Sequence, residues 1–295
     1  MRRLLAVLAV AVPASAAAAE PCPFDAAAMA FAGTPAEQAA CLLRPVGRWG
    51  RVGEVRPLPP FLAGLLAEGR VAVDAARLSA YLARQGIDPA DIGGDPAGAL
   101  SRTADGLPAR YFVIHDTAAP NRKARPFGPA IDGEAWNDRQ LGYYRTAPKV
   151  AHLFIDRLGR SIAQHGFSVP WRATKAEGRM GVRARGRFLH VELIQPRRSA
   201  PDGPEGNFAL APEPGFTPAQ LRRLALAYVA AAVRGGAWPV PAFHAVLDAG
   251  IPEAHDDPQN FDLAAWSAAL EALLAEIASG PVSPSGPVPA AAPPA

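Results

Sequence analysis

The chain is 295 residues long, 49% apolar and 19% charged, with a formal net charge of +3. The apolar share is enough for a packed core, and 30 basic residues against 27 acidic ones argue against a nucleic-acid partner, which needs a strongly basic face.

The first residues, MRRLLAVLAVAVPASAAAAE, set Arg2 and Arg3 ahead of an apolar run that ends in small residues. This is the layout of a cleavable secretory signal, so residues 1–19 are expected to be removed. The stretch from Leu4 to Val12 is too short to cross a bilayer. No transmembrane segment is expected, and the mature protein is expected to be exported, periplasmic or secreted. Pro21 stands where a lipid-attachment signal would need a small residue before Cys22. Loss of Arg2 and Arg3 takes the basic count from 30 to 28 against 27 acidic residues, a formal charge of +1. The two cysteines, Cys22 and Cys41, lie together at the start of an exported chain, where an oxidising compartment favours a local disulfide over two buried thiols.

Residues 20–104 read as a small helical region. Thr34-Pro35-Ala36-Glu37 supplies a capping threonine, a first-turn proline and a glutamate that reaches back. Val73 to Arg84 has apolar residues at helical spacing and stops before Gly86. Arg44 to Pro60 between them, rich in Gly and Pro, reads as loop. The period changes at Arg110. YFVIHDTA is a compact β-prone run, VAHLFI (Val150 to Ile155) is another, a turn at Asp156 to Arg160 leads into Ser161 to Gln164, and FLHVELI (Phe188 to Ile194) follows. Thr217-Pro218 opens a long amphipathic helix closed by Gly235-Gly236, and a last helix is expected from Asp262 to Ile277. The fold class expected for residues 105–278 is therefore α/β, a mixed central β-sheet flanked by helices. Residues 279–295, rich in Pro, Ala and Ser, are expected to be disordered.

All six histidines fall in that α/β region. His115 ends an apolar strand, where sites are commonly built. His244 lies in PVPAFHAVLDAG, and HDDPQNFD, with His255, Asp256 and Asp257, follows shortly. Two imidazoles and a carboxylate, with a fourth position left to water, are the ligand set of catalytic zinc. Pro258 disfavours helix at Asp257 and would hold it in a loop. Glu192 sits mid-strand in LHVEL, on the same face as His190. A carboxylate there serves a metal, a reaction or a partner charge, and Arg183, Arg185 or Arg187 could supply that charge.

In order, FVIHDTA, VAHLFIDRLGRSIAQ, HVELIQP, FTPAQ, FHAVLDAG and HDDPQNFD resemble the zinc-dependent N-acetylmuramoyl-L-alanine amidases, the family that includes phage amidase lysozymes and peptidoglycan recognition proteins. The resemblance spans Arg110 to Trp266. It implies Zn2+ bound by His115, His244 and Asp257, Glu192 as the base, and His255, two residues before the third ligand, steadying the charged intermediate. It also implies a peptidoglycan or muropeptide substrate cut between N-acetylmuramic acid and L-alanine. Two departures stand. The segment from His244 to Asp257 is longer than the family pattern, which leaves His255 and Asp256 as competitors for the third ligand, and the family's Trp-His pair is Trp171-Arg172 here. His152 reads equally as a support for the site or a buried structural residue, His165 as a surface loop residue, and His190 as a cleft residue. A non-catalytic peptidoglycan-binding or sensing protein of the same fold is the alternative. A metallopeptidase of another type is disfavoured, because no HExxH pair occurs.

Overall fold

A computed structural model describes residues 22–281. The expected signal segment and most of the Pro/Ala-rich tail thus lie outside the described residues. In chain order the elements are strands β1 (Phe24–Asp25) and β2 (Ala30–Phe31), then helices α1 (Pro35–Leu42), α2 (Pro60–Glu68) and α3 (Ala75–Gln85). Strand β3 (Tyr111–Asp116), helix α4 (Glu134–Thr146), strands β4 (Leu153–Ile155) and β5 (Ser161–Ala163), helix α5 (Lys175–Met180) and strand β6 (Phe188–Leu193) follow. Helix α6 (Pro218–Gly235), strand β7 (Val240–Phe243) and helices α7 (His244–Leu247) and α8 (Leu263–Ser279) complete the chain.

Strands β3 to β7 form one mixed sheet in the order β5-β4-β6-β3-β7, with β5 antiparallel and its fellows parallel. This is the α/β sheet flanked by helices that the sequence leads one to expect. Alternation along β4 separates the two faces. Leu153 and Ile155 enter the main core, whereas Phe154 joins a second cluster with Trp136, Leu141 and Tyr144 of α4. On the main-core face α6 packs flat against the sheet, with Tyr228 edge-on to Phe112 at 5.2 Å and to Trp266 of α8 at the same distance.

Helix α6 begins as expected. Thr217 and Gln220 form a reciprocal capping box beside a first-turn proline, and Gly236 ends the helix with a left-handed φ of 68°. Its amphipathic character does not hold, because the run from Leu224 to Ala232 is buried on every side between the sheet and α8. The alanines that blurred its apolar stripe in the sequence are what allow helix and sheet to approach so closely.

The N-terminal region adds a two-stranded hairpin, β1 with β2, to the expected helices. Its Leu42, Leu62 and Leu78 belong to the same continuous core as the sheet. The attachment is also polar: the backbone N–H of Phe31 donates to the Tyr111 hydroxyl (2.8 Å), which donates in turn to Gln38 Oε1 (3.2 Å). Of the expected loop from Arg44 to Pro60, the last residue opens α2.

Cys22 and Cys41 are joined in a disulfide that spans 19 residues. A closed loop of that size stabilises a fold by roughly 3 kcal/mol through the unfolded chain. Reduction is expected to lower the melting temperature by about 6–12 °C in a scan with and without dithiothreitol. An unchanged melt would show that the bond does not constrain the unfolded chain.

Candidate metal centre

Register builds the site. On parallel strands His115 of β3 lies opposite Glu192 of β6, and Ile114 lies opposite Phe243 of β7, the residue before His244. Paired residues on parallel strands face the same way. His115, Glu192 and His244 therefore emerge together at the carboxyl ends of three adjacent strands, the usual place for a site in an α/β sheet.

Asp257 comes from the loop before α8. Its Oδ2 accepts the backbone N–H of Asp116 (3.1 Å), and its own carbonyl accepts the N–H of Ala245 (2.8 Å). The His115 and His244 Nδ1 atoms face each other at 2.9 Å. Asp257 stands 3.1 Å from His244 Nδ1 and 3.7 Å from His115 Nδ1. A tetrahedral zinc with bonds near 2.1 Å has ligand-to-ligand edges of roughly 3.4 Å, and these three separations straddle that value. All three side chains are buried. The donor set and its spacing fit zinc.

The electrostatics agree. Burial, followed by the neighbouring His244 and His190, holds the His115 pKa well below the ordinary histidine value. Burial also opposes charge on His244, but Asp257 and Asp248 on either side of the ring overcome it and hold its pKa up at about 10. The ring between these carboxylates is thus a favourable place for positive charge.

Glu192 completes the rim. Its Oε1 lies 3.9 Å from His115 Nδ1, and its Oε2 is buried with no hydrogen-bond partner among the described residues. Burial, then the Asp257 carboxylate, raises its pKa well above the usual carboxylate range, with His244 opposing. The arginine-partner alternative fails on geometry. Arg183 pairs with Asp105 at 2.8 Å, and Arg185 and Arg187 donate to the carbonyls of Pro170 and Met29.

His255 sits at the rim, its side chain 55% exposed, with Nδ1 at 2.9 Å from the far nitrogen, Nε2, of His244. His244 Nε2, Asp248 and His255 make a second cluster of metal-type donors. Asp248 is already engaged there, accepting from His244 Nε2 (3.1 Å) and from the backbone N–H groups of Lys175 and Ala176 (3.3 and 2.8 Å). The set with Asp257 lines the cleft, and Asp248 does not. Asp256, the competing third ligand, turns away to Gln259 Nε2 (2.6 Å) and toward Arg197 (3.5 Å).

His152 supports the strand. Its Nδ1 accepts the backbone N–H of His190 (3.0 Å) and its Nε2 donates to the Val169 carbonyl (3.0 Å). Burial and the nearby His190 hold its pKa at about 3, so it is neutral. The His165 ring lies on Trp171, centroids 4.1 Å apart.

Sequence reasoning missed the pair that locks the loops. Arg197 donates from one terminal nitrogen to both oxygens of Asp116 (2.9 and 2.6 Å), both residues buried, and Asp116 Oδ2 also accepts the Gln259 N–H (3.2 Å). This ties the end of β3, the segment after β6 and the Asp257 loop into one unit. The HD dipeptide after a strand was a signal for Asp116; nothing in QPRRS singles out Arg197. The site opens on a cleft of about 450 Å3 whose walls include Lys149, Trp171 and Arg172.

No family model and no curated protein matches the chain. Among solved structures it is similar to a "crystal structure of Se-Met AmpD derivative", with 17% identity over 61% of this chain and 98% of that one and a TM-score of 0.31. A likeness that low assigns neither fold nor activity.

Proposed function

We propose that the protein is an exported zinc hydrolase that cleaves the amide between N-acetylmuramic acid and L-alanine of peptidoglycan, with its chemistry in residues 105–278. The observation that carries the reading is the convergence of His115, His244 and Asp257 on one cleft beside Glu192, whose Oε2 has no hydrogen-bond partner among the described residues. The order of motifs along the chain, which resembles the muramoyl-alanine amidases, supplies the substrate class.

A zinc ion held by those three residues would polarise the amide carbonyl and lower the pKa of water toward 7. Glu192 takes the proton from the attacking water and passes it to the leaving amine of alanine. Its buried setting raises its proton affinity and so favours uptake of that proton. His255, at the rim, steadies negative charge on the former carbonyl oxygen; loss of one such donor typically costs ~3 kcal/mol of transition-state stabilisation. Lys149, Arg172 and Trp171 give the cleft cationic and aromatic walls that suit an anionic glycopeptide.

Digestion of purified peptidoglycan tests the reading through the new end group. A new amino-terminal alanine is expected. A cut between stem-peptide residues would make the protein a peptidase, and absence of any cut would favour a binding or sensing protein.

A further inference from the structure

Both histidines of the centre have a second ring nitrogen, and each is led back to a buried carboxylate hydrogen-bonded to the start of α5: Glu177 of α5 itself and Asp248, which follows α7. His115 Nε2 lies 3.1 Å from His190 Nδ1, and His190 Nε2 faces Glu177 Oε2 at 3.3 Å. Glu177 and His190 are fully buried, neither His190 Nε2 nor Glu177 Oε1 makes a hydrogen bond among the described residues, and the 3.3 Å approach of His190 Nε2 to Glu177 Oε2 is a close polar contact. His244 Nε2 reaches Asp248 directly. Glu177 Oε2 in turn accepts from the N–H groups of Ala173 and Thr174 and from the Thr174 hydroxyl (3.1, 3.0 and 3.0 Å). Asp248 accepts from the next two N–H groups, those of Lys175 and Ala176. One helical turn therefore anchors both carboxylates.

From this arrangement we infer that Glu177, acting through His190, and Asp248 are positioning residues that fix the tautomers of His115 and His244 for metal binding. The inference rests on the zinc-centre reading above. A carboxylate only accepts hydrogen bonds, so it selects the ring in which the facing nitrogen carries the proton. Asp248 places the His244 proton on Nε2. Glu177 places the His190 proton on Nε2, which leaves His190 Nδ1 as an acceptor for a proton on His115 Nε2. Each choice frees Nδ1, and the two Nδ1 atoms are the ones that converge on Asp257. A glutamate whose ordinary task is to close a capping box thus also orients a ligand two side chains away. Losses of such supporting partners typically weaken metal affinity 10–100-fold.

The test is zinc affinity, measured by competition with a chromophoric chelator, alongside the melting temperature of the metal-free protein. Glu177→Gln keeps the cap, because an amide already fills that position in α6, where Gln220 closes the box with Thr217. Glu177→Gln, His190→Gln and Asp248→Asn are each expected to bind Zn2+ 10–100-fold more weakly than wild type; metal-free melting should be unchanged in Glu177→Gln, whereas Asp248→Asn, which unpairs buried His244, should also melt lower. The double variant of Glu177 and His190 should be no worse than the poorer single one, since both act in one chain. Glu37→Gln, the same change in the capping box of α1, should leave zinc affinity unaltered. Affinities within twofold of wild type for Glu177→Gln and Asp248→Asn would overturn the inference, as would a loss in Glu177→Gln matched by an equal fall in its metal-free stability. If the wild type itself binds no zinc, the metal-centre reading fails first, and that outcome is separate from a wild type that binds as well as its variants.

Discussion

Glu192→Gln is expected to lower kcat on a muropeptide by 10²–10⁴-fold, the usual contribution of a positioned general base, while bound zinc stays stoichiometric. The register that sets Glu192 opposite His115 places its carboxylate at the open edge of the centre, and Oε2 has no competing partner among the described residues. A carboxamide has the same shape and cannot take the proton. It also relieves the cost of a buried carboxylate beside Asp257, so the fold should be no less stable. Turnover and zinc content measured on the same preparation separate the roles. Unchanged turnover would remove Glu192 from the mechanism, and a wild type with no turnover would favour the binding-protein alternative.

His244→Ala is expected to abolish stoichiometric zinc and, with it, measurable turnover. It also removes the group that stands between two buried carboxylates, since Asp248 and Asp257 each lie 3.1 Å from its ring nitrogens. Breaking a buried pair in this way leaves uncompensated charge and costs about 3–5 kcal/mol. The variant should therefore melt lower as well as lose metal. Asp257→Asn should also lose zinc. Asp256→Asn should retain it, because Asp256 faces Gln259 and Arg197 instead of the histidines. Metal content of the two aspartate variants decides between the candidates that the long loop after His244 leaves open. Retention of zinc by Asp257→Asn with its loss from Asp256→Asn would reverse the assignment.

Much of the fold was legible because local chemistry and global packing agree. The Thr-Pro helix starts, the glycine stops and the unbroken apolar run at YFVIHD each correspond to an observed element. Helix α4 escaped because its buried stripe, Trp136, Asn137, Leu141 and Tyr144, has helical spacing but includes a polar residue and lies in the otherwise largely polar run Glu134 to Thr146. Helix α2 escaped behind the prolines that precede it. Within the site, His115, His244 and Asp257 could be read because a metal demands particular side chains at strand ends. The partners that hold them could not. Glu177 reads from sequence as a capping-box glutamate, Asp248 as one more residue of a loop, and Arg197 as one of two adjacent arginines. Their roles depend on which distant backbone groups and rings they meet, and only the packed sheet determines that. His190 could be placed on the Glu192 face by alternation, but its link from His115 toward Glu177 joins three separate elements.

The central claim is that His115, His244 and Asp257 hold a catalytic zinc. Elemental analysis of the purified protein before and after chelation, with peptidoglycan turnover assayed on both samples, tests it most directly. One zinc per chain, activity lost on chelation and restored by added Zn2+, is the predicted result. Full activity in protein free of zinc, or activity indifferent to the chelator, would contradict it.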